Sequence, residues 1–476
     1  MRQKKFFQPD EIRNRDVTRV QADRLRIEPP RQIHAGLLIV TLILICFGLV
    51  MLFSASMTFG YSSEGDALYF VLKQSGITLI GLVLALFVAL IIPVTLFDHF
   101  WLSLILYSVT TGLLVLVKIN GLVINSARRW ISLGGTTFQP SELAKISIVF
   151  CFAGYVSMIS RKRKAKRLRF KTPVRQFIAD GWVDVLIPGF AILIWIGLIA
   201  WQPHLSGALI LCFIAAVLYL TAGISLRSWV SAIVQLLVVV LILGLIIAVL
   251  LSVTPSGELK QILQEKVVDN FEHVSKRMNS FLEPEEATDD DMYQINQAII
   301  AMGSGGLNGI GLGEGRQKYN YLPEAHNDYV FAIIGEELGF AGTVMVVLLF
   351  FLFMYMGVGV TRKASSQFTA LLAGGYTMLI SIQAFLNFGV ATHTLPSTGV
   401  SLPFFSYGGT SNLFFLMAIG LLLAVSRSGQ RRPVESSQAN RLTQPVNRPV
   451  KQSAQQTDTH NRQIYQAPIR VSGREG

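Results

Sequence analysis

Apolar residues run along this chain in long unbroken stretches, at about 35–56, 70–93, 99–118, 140–160, 183–201, 206–223, 228–252, 329–359, 367–391 and 407–426. Each is close to the roughly 20 residues an α-helix needs to cross a bilayer. Backbone polar groups must be satisfied inside lipid, and runs this continuous satisfy theirs as helices, because barrel strands are shorter and alternate. The pattern predicts an all-α polytopic membrane protein of about ten transmembrane helices, with a large extracytoplasmic loop (253–328) between helices 7 and 8. It divides the chain into a polar N-terminal tail (1–34), a transmembrane domain (35–428) and a basic Gln/Ser/Pro-rich tail (429–476) of disordered composition. The first run starts near Ala35 and is too long for a signal h-region, so it reads as retained.

Composition agrees: 51% of residues are hydrophobic and 15% charged, where soluble domains carry about a quarter charged. The net charge of +12 raises nucleic acid as a partner, but its placement argues against that. Residues 1–34 hold nine Lys/Arg against five acidic residues, and RKRKAKRLRFKTPVR (161–175) holds nine basic residues and no acidic one. With Arg362, Lys363 and the basic C-terminal tail, these segments share one side of a ten-span chain. The positive-inside rule makes that side cytoplasmic, with both termini on it. The 253–328 loop carries thirteen acidic residues against six basic ones and falls outside. Cys46, Cys151 and Cys212 lie within apolar runs without CxxC spacing, so they read as small core residues rather than a disulfide framework or metal site.

Candidate chemistry lies in the outer connections. In NSARRWISLGGTTFQPSELAKI (125–146), Arg128 and Arg129 suit bidentate binding of a phosphate, or equally anchoring to lipid headgroups. Pro140 and Ser141 open the fourth span, with Glu142 and Lys145 one turn apart, as a functional pair or a structural tether. Gln202, Pro203 and His204 make a turn in which the His reads as a hydrogen-bonded turn residue. Glu324, His326 and Asp328 precede GEELG (335–339); without a recognised ligand spacing, they read first as a hydrogen-bonded cap on the eighth span. GSGGLNGIGLGEG (303–315) follows no βαβ unit, which excludes nucleotide binding and leaves a surface connector. Pro396, Gly399, Pro403, Gly408 and Gly409 in LPSTGVSLPFFSYGGTSN (395–412) imply irregular backbone at membrane depth, tolerated only inside protein or beside a wet cavity. An outer cavity of this kind suits an enzyme acting on a lipid-linked phosphate or a transporter, and physics alone leaves both open.

Four segments, ARRWISLGGTTFQPSELAK, YQINQAIIAMGSGGLNGIGLG, LPEAHNDYVFAIIGEELG and LPFFSYGGTSN, occur in an order that resembles the SEDS family (shape, elongation, division and sporulation) across about 35–428. These are the FtsW/RodA-type membrane glycosyltransferases, and the third segment and the long tails lean towards the FtsW division branch. The resemblance implies a peptidoglycan glycosyltransferase that polymerises lipid II, the undecaprenyl-diphosphate-linked disaccharide-pentapeptide, at the outer face of the bacterial plasma membrane. It implies the division septum as the location, with a class B penicillin-binding transpeptidase and other divisome proteins as partners and no nucleic acid. A carboxylate would deprotonate the acceptor 4-hydroxyl, and Arg129, with Arg128 or a divalent cation (Mg or Mn), would stabilise the departing diphosphate.

Residue by residue, the resemblance carries substrate binding onto Arg128, Arg129, Glu142, Lys145, Gln294 and Glu324, and onto His326, Asp328, Ser406, Tyr407, Gly408 and Gly409. Gln139, Pro140, Tyr293, Glu336, Glu337, Gly339 and Pro403 match as well. The family's QPDLGTA turn reads QPHLSGA here, with His204 in place of an acid. Its catalytic Asp lies three residues after a Pro and six before Tyr-Gln; counted from Pro284 and from Tyr293, that position is Ala287. The neighbouring carboxylates make Asp289 the first candidate base and Glu286 the second. A lipid II flippase or other transporter remains the rival reading, and a non-catalytic scaffold for a transpeptidase is a third, for which Ala287 is the main support.

Overall fold

A computed structural model describes residues 25–27, 33–124, 127–133, 136–202, 204–253, 289–396, 399–428 and 431–433. Two units separate: one comprises residues 1–26 and 432–476, of which only short extended stretches are described, and the other spans 27–431.

The second unit is helical. Its helices are α1 (Ala35–Glu64), α2 (Tyr69–Ile91), α3 (Phe100–Asn120), α4 (Pro140–Lys164), α5 (Pro173–Gly181) and α6 (Ile187–Trp201), followed by α7 (Leu205–Thr221), α8 (Leu226–Val253), α9 (Asp289–Ser304), α10 (Val330–Lys363), α11 (Gln367–Ala391) and α12 (Gly409–Arg427). Among the described residues nine helical stretches are long and apolar enough to cross a membrane, with α5 and α6 counted as one through the π-turn Trp182–Leu186. The 17-residue α7 is a shorter apolar tenth, so the helices and the ten apolar runs correspond.

Local chemistry sets several boundaries. The His34 ring accepts from the Leu37 amide and starts α1, which Gly65 ends in a left-handed turn with its amide on Tyr61 O. Pro140 stands in the first turn of α4, where its missing N–H costs nothing. Four basic residues occupy the last turn of α4, the end where the helix dipole favours cations. Ser366 and Thr369 form a capping box on α11.

Burial separates centre from rim. In α11 and α12, 72% of the membrane-length window is buried, and in α4 67%, against 11% for Leu226–Ile246 of α8. The centre is filled by Tyr376, Phe350, Phe353, Phe368 and Phe405. At the α2–α12 contact a Cβ on Gly420 would meet the Ala85 backbone, the close approach that small residues permit between helices in lipid.

The structure corrects some expectations. Cys46 and Cys212 are exposed on the bundle surface rather than in its core, because α1 and α7 turn those faces outward, and Cys151 is half-buried with its thiol on Ser103 O at 3.2 Å. The run near 183 begins at Pro173, because Asp180 is buried under Arg163 and the helix continues through it. The connection after α3 is a small antiparallel sheet, β1 (Leu122–Ile124), β2 (Ala127–Leu133) and β3 (Thr136–Phe138), in which Ile131 faces Phe138. Within the 253–328 loop, residues 254–288 lie outside the described ones and α9 follows.

Candidate active site at one end of the bundle

The connections α1–α2, α3–α4, α6–α7, α9–α10 and α11–α12 share one end. Its frame is a break in α10. Gly339 adopts φ 67° and ψ −166° inside the helix, which frees backbone groups that cannot stay unpaired in a membrane protein. The glycine-rich segment after α9 pairs with them. Ile310 N donates to Glu336 O (3.1 Å) and Gly311 N to Glu337 O (3.0 Å), while Phe340 N and Ala341 N donate to Gly306 O and Leu307 O. A side chain on Gly339 or Gly309 would strike the opposite backbone, and both have positive φ, so glycine is required twice. This segment is therefore a backbone clasp, not the surface connector that its composition suggests.

Side chains lock the clasp. Glu336 accepts from the amides of Arg316 (2.7 Å) and Gln317 (3.2 Å). Glu337 pairs with Lys318 at 2.8 Å, both fully buried, and accepts from the Ser54 hydroxyl of α1. Lys318 also donates to Gly313 O (2.6 Å) and Ser54 Oγ (3.1 Å), so its three protons are spent.

The α9–α10 and α11–α12 connections meet beside it. The His326 ring stacks on Phe59 (4.6 Å between centroids) and lies 5.4 Å from Phe70, and its backbone oxygen accepts from Tyr407 N at 2.9 Å. Burial holds the His326 imidazole below its ordinary pKa, against a smaller opposing pull from Glu324. Glu324, with φ 53°, takes the Asn327 amide on its carboxylate, and Gln294 of α9 donates to Pro323 O at 3.2 Å. Asn387 bridges Asp328 O (2.7 Å) and Val400 O (2.6 Å). α10 starts after Tyr329, which makes no side-chain cap bond; of the three residues read as a cap on the eighth span, His326 is held by aromatic stacking and Glu324 by its own turn.

The irregular 399–408 backbone is held by amide side chains that the sequence reading passed over. Gln74 of α2 reaches Ser406 O and the Gly408 amide, and Gln383 of α11 donates to Ser401. Ser406 Oγ accepts from Leu402 N at 2.7 Å and closes the turn; Gly408 precedes α12 and Gly409 packs on Ile77. The available signal was polar: single Gln and Asn residues inside apolar runs are costly unless they bond something specific. Glu142 and Lys145 join the same assembly, paired at 2.8 Å, with Lys145 Nζ on Gln383 Oε1 at 2.9 Å and 5.8 Å from the Phe415 ring.

The arginines stand on another wall. Arg129 Nε donates to Gln202 O at 3.3 Å, and the exposed Arg128 reaches Ile119 O at 3.5 Å. Gln202 is anchored to Leu114 O, and His204 is buried with its amide on Ile199 O, so Arg129 takes a backbone oxygen of the turn in which His204 replaces the family's acid. Phe138 of β3 packs on Phe414 of α12 and ties this sheet to the bundle centre. Lys73, absent from the sequence candidates, lies over the Tyr69 ring at 5.5 Å and beside Tyr407. Beyond Gly339, α10 lines an apolar side groove of about 470 Å³ with Phe340, Val344, Met345 and Leu348.

Asp289 opens α9, whereas Glu286 and Ala287 lie outside the described residues. Among the described residues no three His, Cys, Asp or Glu side chains converge to hold a metal ion.

A family model described as "Cell cycle protein", covering FtsW, RodA and SpoVE, matches residues 35–431. The chain belongs to this family. A "Probable peptidoglycan glycosyltransferase FtsW" from Geobacter sp. (strain M18) is 33% identical over 393 residues, 82% of this chain and 95% of that one. "Stage V sporulation protein E" of Bacillus subtilis (strain 168) is 34% identical over 397 residues, 82% of this chain and 96% of that one. Among solved structures, a chain described under "Structural coordination of polymerization and crosslinking by a peptidoglycan synthase complex" aligns with a TM-score of 0.57 at 27% identity, covering 83% of this chain and 98% of its own. RodA of Thermus thermophilus aligns at 0.53 and 25% identity, covering 83% and 97%. The SEDS fold of a multi-pass membrane protein is thus established, and the family's four sequence signatures all map to the end of the bundle just described.

Proposed function

We propose that this chain is a peptidoglycan glycosyltransferase that polymerises lipid II at the outer face of the plasma membrane during septal cell-wall synthesis. The observation that carries the reading is the convergence of the family's signatures on one end of the bundle, where broken backbone, ionisable side chains and an apolar side groove adjoin. Relatives bearing the glycosyltransferase name support it over most of the chain's length. The basic 161–175 loop lies at the opposite end, which supports cytoplasmic termini and an extracytoplasmic site. A class B penicillin-binding transpeptidase is the proposed partner, alongside other divisome proteins; the peptidoglycan synthase complex among the similar structures supports that pairing.

In the reaction, the acceptor 4-hydroxyl attacks the anomeric carbon of the donor, the bond from that carbon to the diphosphate oxygen breaks, and the hydroxyl proton passes to a carboxylate. Asp289, at the start of α9, is the first candidate base and Glu286 the second. Arg129, with Arg128 and Lys73, offers positive charge to the departing diphosphate. The groove beside Phe340 and Leu348 offers a place for a polyprenyl chain. Ala287 at the expected catalytic position favours one other reading, a scaffold that activates the transpeptidase without catalysis.

The test is polymerisation of lipid II by the purified protein with its transpeptidase, across divalent-cation conditions, for wild type and for Asp289→Ala, Glu286→Ala and Arg129→Ala. Wild type should make glycan strands, Asp289→Ala should lose at least about a hundredfold of rate, and Arg129→Ala should lose a similar factor. A wild type inactive under every condition supports the scaffold. Polymer that survives both carboxylate substitutions removes these two as the base.

A further inference from the structure

At the end of the bundle away from the candidate site, the loop after α4 folds back over α5 and the start of α8, forming an open surface pocket of about 510 Å³. Five cations line it: Arg163, Lys166, Arg169, Lys171 and Arg227. The acids beneath are already engaged. Arg163 takes Asp180 (2.9 Å) and Asp184 (2.7 Å), Gln176 donates to Asp180, and Ser228 donates to Asp184. Among the described residues no ion pair involves Lys166, Arg169 or Lys171, so the pocket presents uncompensated positive charge.

The loop is ordered by its own bonds. Lys166 turns at φ 57°, with its amide on Arg163 O, and Phe170 N donates to Gln176 Oε1 at 2.9 Å. Beside these cations the surface is apolar: Phe170, Val174, Ile178 and Trp182 are all exposed. Val174 and Ile178 are four residues apart on α5, which leads through the π-turn into the α6 span. An exposed apolar helix face edged by Arg and Lys and ending in Trp is the pattern of a span's end at the membrane–water boundary.

We propose that this pocket binds the phosphate headgroup of an anionic glycerophospholipid, whose acyl chains lie along Phe170, Val174, Ile178 and Trp182. Free phosphate would use the cations but leave the apolar apron without purpose, and a zwitterionic lipid would bring a cation of its own into a positive pocket. The proposal does not depend on the reaction at the other end of the bundle.

The test titrates the full-length protein in detergent with phosphatidylglycerol or phosphatidylcholine and counts bound lipid by native mass spectrometry. It compares wild type, a pocket variant (Lys166→Gln, Arg169→Gln, Lys171→Gln) and a control variant (Lys162→Gln, Lys164→Gln, Arg167→Gln) with the same loss of charge from the adjoining last turn of α4 and the loop. All six residues are exposed, and the control residues do not line the pocket. Wild type should hold phosphatidylglycerol in preference to phosphatidylcholine. The pocket variant should bind it about a hundredfold more weakly, on the scale of three cations at a membrane surface, and the control only a few fold. A Lys166→Arg, Lys171→Arg variant should retain binding, which separates lost charge from lost folding. Equal losses in both triple variants would show diffuse surface charge and overturn the site. Displacement by inorganic phosphate as effective as by phosphatidylglycerol, or equal binding of phosphatidylcholine, would overturn the lipid assignment.

Discussion

Two buried lysine–glutamate pairs serve the same end of the bundle and differ in what surrounds them. Lys318 and Glu337 are both sealed from solvent, and Gly313 O and the Ser54 hydroxyl complete the lysine's shell. Lys145 and Glu142 keep slight exposure, 4% and 8% of their side chains, and Lys145 is shared with Gln383, which in turn holds Ser401 in the broken-helix connection. The first pair joins α1, the glycine clasp and α10 into one rigid unit. The second sits where a helix start meets irregular backbone, so a change in its partners would be felt in the 399–408 connection. A saturated pair fixes structure, while a pair with a reachable edge can also serve function.

The largest expected effect comes from opening the sealed pair. Lys318→Met leaves the Glu337 carboxylate buried beside one hydroxyl and should cost about 3–5 kcal/mol. Thermal unfolding of the detergent-purified protein should show a much lower midpoint or no folded fraction. A variant as stable as wild type would mean that the clasp does not depend on this pair. Gly339→Ala attacks the same unit through the backbone. Its positive φ and the collision with Gly309 N and Leu307 O should cost at least about 1–3 kcal/mol, read in the same measurement.

The second pair is sharpened by a double substitution. Lys145→Met should destabilise by stranding Glu142, and Glu142→Gln with Lys145→Met should restore most of that stability by removing the stranded charge. If the pair is a tether alone, the double variant regains lipid II polymerisation as well. The expected result is regained stability with polymerisation still reduced about tenfold or more, because Lys145 no longer orients Gln383 and the 399–408 connection.

How far these features were legible in the chain follows from the range of the interactions. Helices announce themselves by apolar length, so the ten runs map onto the ten apolar helices. Glu142 and Lys145 were visible as a pair because a helix sets their separation within one turn. The clasp was not: GSGGLNGIGLGEG makes sense only against carbonyls freed at Gly339, and nothing local in either segment states that they meet. Gln74, Gln383 and Asn387 were hidden for the same reason, each being a polar residue inside an apolar run whose partner lies elsewhere in the chain. The Arg128–Arg129 motif was readable as chemistry, while its sheet and its hold on Gln202 O were not, since three short strands give little periodicity.

His326 gives the smallest expected effect and separates the rigid clasp from its neighbour by pH. Its ring lies against Phe59 and Phe70, where protonation is disfavoured, and Glu324 only partly offsets that. The folded protein therefore holds the neutral imidazole more firmly than the unfolded chain does. With the folded pKa below the ordinary value of 6.5, the unfolded state binds more protons across the interval between the two, so stability rises with pH there. The contribution is complete above about pH 6.5 and is lost as pH falls towards the folded pKa. Melting of wild type should decline from pH 7.5 to pH 5, and His326→Phe, which keeps an aromatic ring in the stack without a titrating group, should decline less. Equal slopes in the two proteins would assign the acid sensitivity to other groups and leave His326 with a packing role alone.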